Sequence, residues 1–185
     1  MKNIILIGAA RAGKTTFTNL LNKKINNLMI IRTDLLRLAF REAIVKDMQI
    51  NTSSLKNNQD YRNYVLSYYK YANMYEPDYV KSVDSVDFDP KDYNLFENSI
   101  MVCLGYPNLT EEEVFNNFRK YDTDNDWTKR KTDEELLKYA KREIQTSKRL
   151  LEECKKYNVK FIDTSYNRVK VLNELLDVIL NEIKE

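Results

Sequence analysis

The sequence predicts an α/β fold of three layers, with a parallel sheet of about five strands and helices on both faces. Short apolar runs such as Ile4-Ile5-Leu6-Ile7 and Leu28-Met29-Ile30-Ile31 lack the polar alternation of half-solvated strands, so they fit strands covered on both sides, and Val159-Lys160-Phe161-Ile162 reads as a last strand. Longer stretches of helical periodicity separate them, as crossovers between parallel strands require. At 185 residues the chain is long enough for a sizeable core and short enough for one domain, taken here as 1–185.

The first strand, from Ile4, runs directly into Gly8-Ala9-Ala10-Arg11-Ala12-Gly13-Lys14-Thr15, which fits G-x-x-x-x-G-K-[ST]; Phe17, Leu20 and Leu21 then follow at helical spacing. A strand, a glycine loop and a helix N-terminus together aim backbone N–H groups at one spot, the arrangement that holds a phosphate. Residues 8–16, Thr16 included, are therefore the expected nucleotide-binding set, with Lys14 meeting the β- and γ-phosphates of ATP and Thr15 binding Mg²⁺. Only three glycines occur, and two of them, Gly8 and Gly13, stand where the backbone must curl round phosphate. The third, Gly105, cannot supply a dinucleotide fingerprint, and no D-x-x-G or N-K-x-D follows to suggest a GTPase.

The second strand leads into Thr33-Asp34-Leu35-Leu36-Arg37, which opens a helix with Leu36, Phe40 and Ile44 on one face. Ligands of parallel sheets bind beyond the carboxyl ends of the strands, so Asp34 and Arg37 are expected at the same crevice as the loop. A carboxylate there can deprotonate an attacking hydroxyl, and a guanidinium three residues on can fork onto an anionic acceptor. The plainer alternative has Asp34 capping the helix and Arg37 solvated.

This layout resembles the P-loop kinases of the adenylate kinase-like group, particularly the polynucleotide kinase and zeta-toxin branch, and so implies a P-loop NTPase fold with a short helical lid. The resemblance makes Asp34 the catalytic base and Arg37 an acceptor-binding residue. It also aligns Val83-Asp84-Ser85-Val86-Asp87-Phe88-Asp89-Pro90 with the end of a third strand, serine replacing a glycine. Asp84 would then face acceptor and metal, reaching Mg²⁺ through water, with Asp87 competing because Lys81 and Ser82 are poor residues for a doubly buried strand.

Ser99 to Leu104 reads as a further strand, and Thr110-Glu111-Glu112-Glu113 as a capping box that starts a helix reaching about Lys120. A second capping box, Thr132-Asp133-Glu134-Glu135, follows. The segment between, about 119–131, resembles in position and charge the lid of these kinases, with Arg119 the first and Arg130 the second candidate for the catalytic arginine. After it, Leu137, Ala140, Ile144, Ser147, Leu151 and Cys154 recur at helical spacing, and Asp163-Thr164-Ser165 opens the terminal helix. By the same resemblance, Thr164, Ser165 and Tyr166 take the place of base contacts.

An insert at about 48–78 covers the acceptor in kinases of this shape. Its tyrosines, from Tyr61 to Tyr75, recur at spacings of three and four; they suit either a packed aromatic face or a stacking surface. Residues 51–60 are polar and expected to be flexible. The chain has no histidine, which excludes the usual zinc sites and histidine catalysis; its two cysteines fit a packed role in a reducing compartment. The first apolar run is too short for a signal-peptide core or membrane span, so a cytoplasmic location is expected. A net charge of +2 announces no nucleic-acid track. The combined expectation is a Mg²⁺-dependent kinase that takes ATP and a small-molecule acceptor. An acceptor-free NTPase or regulator and a nucleic-acid end kinase are the rivals.

Overall fold

The computed structural model describes all residues except Met48, Thr123, Asn125 and Glu185, together with all side chains of the rest save that of Ser53. Five strands, β1 (Asn3–Gly8), β2 (Leu28–Arg32), β3 (Val80–Asp84), β4 (Ser99–Gly105) and β5 (Lys160–Asp163), form one sheet. Their order is β2-β3-β1-β4-β5 and every pair is parallel. β1 is buried along its whole length, and its alternating side chains feed two cores: Ile4 and Leu6 one, Ile5 and Ile7 the other. An unbroken apolar run is therefore what this position demands.

Helices α1 (Lys14–Asn22), α4 (Glu111–Lys120) and α6 (Arg168–Glu182) serve the first core; α2 (Thr33–Phe40) and α3 (Gln59–Tyr75) serve the second. The 25-residue α5 (Asp133–Tyr157) serves both. Leu136, Ala140 and Ile144 pack into the first core, Leu150 and Cys154 into the second. α4 and α5 both start with the expected capping boxes, the Thr110 and Thr132 hydroxyls accepting from the Glu113 and Glu135 amides.

Several expectations shift by a residue or more, each for a physical reason. On α5 the buried face carries Leu136 and Leu150, whereas Leu137 is 41% exposed. The helix crosses from one core to the other over the polar Ser147, which the helical series includes, and Glu143, which it does not; both are buried. Ile44 is 60% exposed, because α2 ends at Phe40 and the π-helical turn Arg41–Val45 rotates the following side chains off its face. The polar stretch expected to be flexible instead holds a 3₁₀ turn, Thr52–Asn57, pinned by the buried Leu55, and then the start of α3, where the Asn58 side chain accepts from Tyr61 N–H. Lys81 and Ser82 are both buried in β3; Lys81 keeps its ammonium satisfied by donating to the Tyr79 carbonyl at 2.7 Å and to the Glu76 carbonyl. α6 begins at Arg168, after the Asp163 carboxylate turns the chain by accepting from Ser165 N–H at 2.8 Å.

The tyrosines of α3 divide: Tyr61 and Tyr69 are buried, while Tyr68, Tyr71 and Tyr75 are exposed. Cys103 and Cys154 are buried free thiols. Among the described residues no helix is long and apolar enough to cross a membrane.

Candidate functional site

The loop that joins β1 to α1 has the geometry its glycines imply. Gly8 has φ 134°, and a Cβ there would stand 1.9 Å from the Leu104 carbonyl oxygen, so no side chain fits. Gly13, at φ 103°, is the N-cap of α1. Lys14 is buried, its ammonium donating back to the Gly8 and Ala9 carbonyls at 3.0 and 2.8 Å. Burial pulls its pKa below the usual lysine value, against the opposing pull of Asp84 and Glu143. Thr15 and Thr16 follow, both exposed.

The Thr15 hydroxyl donates to the Asp84 carboxylate at 3.0 Å. The sheet explains the meeting: Asp84 ends β3, in register with Leu6 of β1 on one side and Arg32 of β2 on the other. The hydroxyl and carboxylate form the hard-oxygen pair that Mg²⁺ prefers, and Mg²⁺ ordinarily fills its other positions with water and phosphate oxygen. In keeping with that, no group of three or more His, Cys, Asp or Glu that could hold a metal exists among the described residues.

Asp87, the competing candidate, faces elsewhere. Its carboxylate is buried and pairs with Arg37, and it also accepts from the Tyr61 hydroxyl at 2.8 Å. The Tyr61 hydroxyl lies 2.7 Å from the Thr33 carbonyl as well, Arg62 donates to the Asp87 carbonyl at 2.9 Å, and Asp87 N–H donates to Ser85 Oγ at 2.9 Å. Burial, then Asp87, pushes the Tyr61 phenol pKa well up. Arg37 is thus ion-paired rather than solvated, and its Nε is buried without a partner among the described residues. Asp34, in contrast, is exposed in the first turn of α2. The N-cap is Arg32, and Asp34 accepts only from the adjacent Leu35 N–H at 2.9 Å. Asp34 is thus not the N-cap, but its carboxylate does satisfy one first-turn amide of α2.

Near this pair stand residues that sequence reasoning missed. Lys56, on the 3₁₀ turn, is half-buried and has no side-chain partner among the described residues. Asp87, Arg37, Glu143 and Arg142 make up its electrostatic surroundings, and burial lowers its pKa. Glu143 of α5 accepts from Ala10 N–H in the loop at 2.9 Å, while the Tyr106 hydroxyl donates to the Ala10 carbonyl at 2.7 Å. Nothing local marks Glu143 or Lys56 in the sequence, since each gains meaning only from elements packed beside it. Tyr61 was visible as one of a tyrosine series without its partner.

The segment 119–131, of which Thr123 and Asn125 lie outside the described residues, is tied to the loop by Arg11. This residue sits at φ 61° and donates to the Tyr121 carbonyl at 3.1 Å and Thr128 Oγ1 at 3.2 Å. It also pairs with Asp122 at 3.3 Å and Asp126 at 2.9 Å. Arg119 is occupied within the segment, donating to the Lys131 carbonyl at 3.2 Å, the Thr128 carbonyl at 3.4 Å and the Asp133 carboxylate. Arg130 is exposed and without a side-chain partner among the described residues. Trp127 packs between Phe118 and Tyr139, with ring centroids at 6.1 and 5.1 Å. Thr164, expected near the base, spends its N–H and hydroxyl on the Gly105 carbonyl at 2.7 and 3.0 Å.

The fold is the three-layer α/β P-loop NTPase fold. No protein-family model matches the chain, and no curated protein matches it in sequence. Solved structures do match in fold. Shikimate kinase from Bacteroides thetaiotaomicron aligns with TM-score 0.60 and 14% identity over 96% of this chain and 98% of that one. Dephospho-CoA kinase from Campylobacter jejuni aligns with TM-score 0.54 and 15% identity over 100% of this chain and 98% of that one. Both are P-loop kinases, which supports the broader resemblance and not the particular polynucleotide kinase and zeta-toxin branch.

Proposed function

We propose that this chain is a Mg²⁺-dependent kinase that transfers the γ-phosphate of ATP to a hydroxyl, or a phosphate, of a small anionic acceptor. The observation that carries this reading is the position of Asp84. It ends the strand between β1 and β2, it accepts from Thr15 of the phosphate loop, and its register partner Arg32 immediately precedes the helix bearing Asp34 and Arg37. Phosphate loop and acceptor helix are thereby neighbours at one end of the sheet, where transfer between two bound molecules is feasible. The kinase neighbours in fold support the reading.

In the proposed reaction the acceptor oxygen forms a bond to the γ-phosphorus, the bond from that phosphorus to the β–γ bridging oxygen breaks, and ADP leaves. Lys14 and the loop amides hold the β- and γ-phosphates, and Asp34, exposed and without an ion pair, takes the acceptor proton. Thr15 and, through water, Asp84 would hold Mg²⁺, which would supply charge neutralisation for the phosphates. Arg37 and Arg142 are each beside a carboxylate, Asp87 and Glu143, so Lys56, without a side-chain partner among the described residues, is the cation left to favour an acceptor bearing carboxylate or phosphate. The segment 119–131 is the proposed lid, with Arg119 or the unpaired Arg130 meeting transition-state charge.

The test is ADP release over nucleosides, nucleotides, sugars, phosphorylated acids and oligonucleotides, run in parallel with Asp34→Asn. Release should depend strictly on one acceptor class, and Asp34→Asn should lower kcat by a factor on the order of 10²–10⁴ with ATP affinity kept. Acceptor-independent ATP turnover would instead make the chain an NTPase. Oligonucleotide phosphorylation that falls steeply with salt would make it an end kinase.

A further inference from the structure

A phosphate loop binds anions because its amides are left free for them. In this protein one of those amides is taken. The N–H of Ala10, third residue of the loop, donates to Glu143 Oε2 at 2.9 Å, and Glu143 is a carboxylate only 9% exposed. Its other oxygen, Oε1, has Arg142 Nη2 at 3.5 Å. The Lys14 ammonium donates to the carbonyl of Ala9, the residue before Ala10, at 2.8 Å. The carboxylate therefore holds the amide next to the carbonyl that receives the lysine, and in a loop of this kind the lysine meets the β- and γ-phosphates.

A buried acid could be explained as a core residue that happened to find an amide, but its place in the fold argues otherwise. Glu143 lies near the crossing point of α5, beside Ile144, the last of the residues that serve one core, and ahead of Leu150 and Cys154, which serve the other. No packing term calls for a charge there, and an apolar residue would cost less. The N-terminal end of the same helix is tied to segment 119–131, Asp133 by Arg119 and Glu135 by Lys131 at 2.8 Å.

We infer that Glu143 is a displaceable internal anion: it holds the Ala10 amide and gives it up to a terminal phosphate, so that it sets the discrimination between ATP and ADP. The inference rests on the kinase reading above and deepens it by naming a positioning residue for the triphosphate. Because α5 carries Glu143 at its centre and the anchor points of segment 119–131 at its start, withdrawal of the carboxylate and movement of that segment are linked through one helix. Charge, not shape, performs the discrimination: the γ-phosphate brings the additional negative charge nearest to Glu143, and ADP does not.

The experiment is calorimetric titration of the full chain with ATP and with ADP, both with Mg²⁺, for the wild type, Glu143→Gln and Glu143→Asp. Gln keeps an oxygen for the Ala10 amide and removes the charge; Asp keeps the charge. Glu143→Gln should tighten ATP about tenfold and ADP about twofold or less, while Glu143→Asp keeps the wild-type ratio within about twofold. A ratio unchanged in Glu143→Gln, or an equal loss for both nucleotides, overturns the inference and leaves Glu143 a support for the loop. Should Glu143→Gln not fold, the wild-type Ala10 amide resonance decides. ATP should displace it far more than ADP, and equal displacements overturn the inference. Failure of the wild type to bind either nucleotide sinks the kinase reading and this inference together, whereas normal binding with an unchanged ratio sinks this one alone.

Discussion

The two ends of the candidate site are built by opposite means. The phosphate end is contiguous, residues 8–16, and its contacts come chiefly from backbone: amides of the loop, two carbonyls that receive the Lys14 ammonium, and one threonine hydroxyl. The proposed acceptor end gathers side chains from separate elements: Arg37 of α2, Lys56 of a 3₁₀ turn, Tyr61 of α3, Asp87 after β3 and Arg142 of α5. A backbone nest can be specified by a few residues in a row. A side-chain site exists only once the whole fold has brought its parts together. The first should therefore fail chemically without unfolding, and the second should be part of what holds the protein together.

The largest effect should come from Arg37. The Arg37→Ala substitution leaves the buried Asp87 carboxylate with the Tyr61 hydroxyl and only the unbonded charge of Lys56, and a broken buried pair typically costs about 3–5 kcal/mol. Urea denaturation should show that loss, with Asp87→Asn in the same background recovering part of it. Were Arg37→Ala to leave stability within about 0.5 kcal/mol of wild type, the pair would be dispensable and the contrast between the two ends would collapse.

Thr15→Ala probes the phosphate end. It removes the hydroxyl that meets Asp84 and, on the proposed reading, Mg²⁺, while touching no core residue. ATP-dependent transfer should fall on the order of 10²–10³-fold, with the urea midpoint close to wild type. A stability loss as large as that of Arg37→Ala would show that this end, too, is structural.

The same contrast explains what could be read from the sequence. β1, the loop and α1 were legible because apolar run, glycines and helical period are local signals, and the five strands and both capping boxes followed likewise. Lys81 and Ser82 misled in β3 because a lysine can bury its stem and carry its ammonium to carbonyls beyond the strand start. Asp84 and Asp87, three residues apart, looked equivalent. Only the register of β3, and the arrival of Tyr61 and Arg37 from distant elements, separates a carboxylate that meets the loop from one locked in the interior. Glu143 was invisible because a charged residue does not mark the buried face of a helix, and its partner, the Ala10 amide, is far away in sequence. No sequence signal gives the acceptor.

A smaller effect is expected at the joint between loop and lid segment. Arg11 holds Tyr121, Asp122, Asp126 and Thr128 at once, so Arg11→Ala should free residues 121–131 at a cost of about 1–2 kcal/mol, a range typical for a few partly exposed charged hydrogen bonds. Hydrogen exchange of the described amides in this stretch should quicken. Emission of Trp127, the chain's sole tryptophan, should change as its packing on Phe118 and Tyr139 loosens. Unaltered exchange together with unaltered emission would make the segment self-supporting and independent of the loop.

The smallest effect concerns the cost of keeping Lys14 ready. Its ammonium is buried, satisfied by the Gly8 and Ala9 carbonyls, and its pKa is lowered first of all by that burial. Below the lowered folded pKa, the lysine is protonated in both folded and unfolded states and its full desolvation cost weighs on the fold. As pH climbs from there to the ordinary value of 10.5, the folded state gives up its proton before the unfolded state does, and the cost fades. Replacing the lysine by methionine removes the charge and keeps most of the stem, so Lys14→Met should be more stable than wild type at neutral pH, by less than about 1 kcal/mol. Its advantage should shrink as pH rises through that window, and it should have lost ATP-dependent transfer. Thermal melts of both proteins across that pH range are the measurement. A variant less stable than wild type at pH 7, or an advantage that grows with pH, would mean that the two carbonyl bonds outweigh the burial of the ammonium.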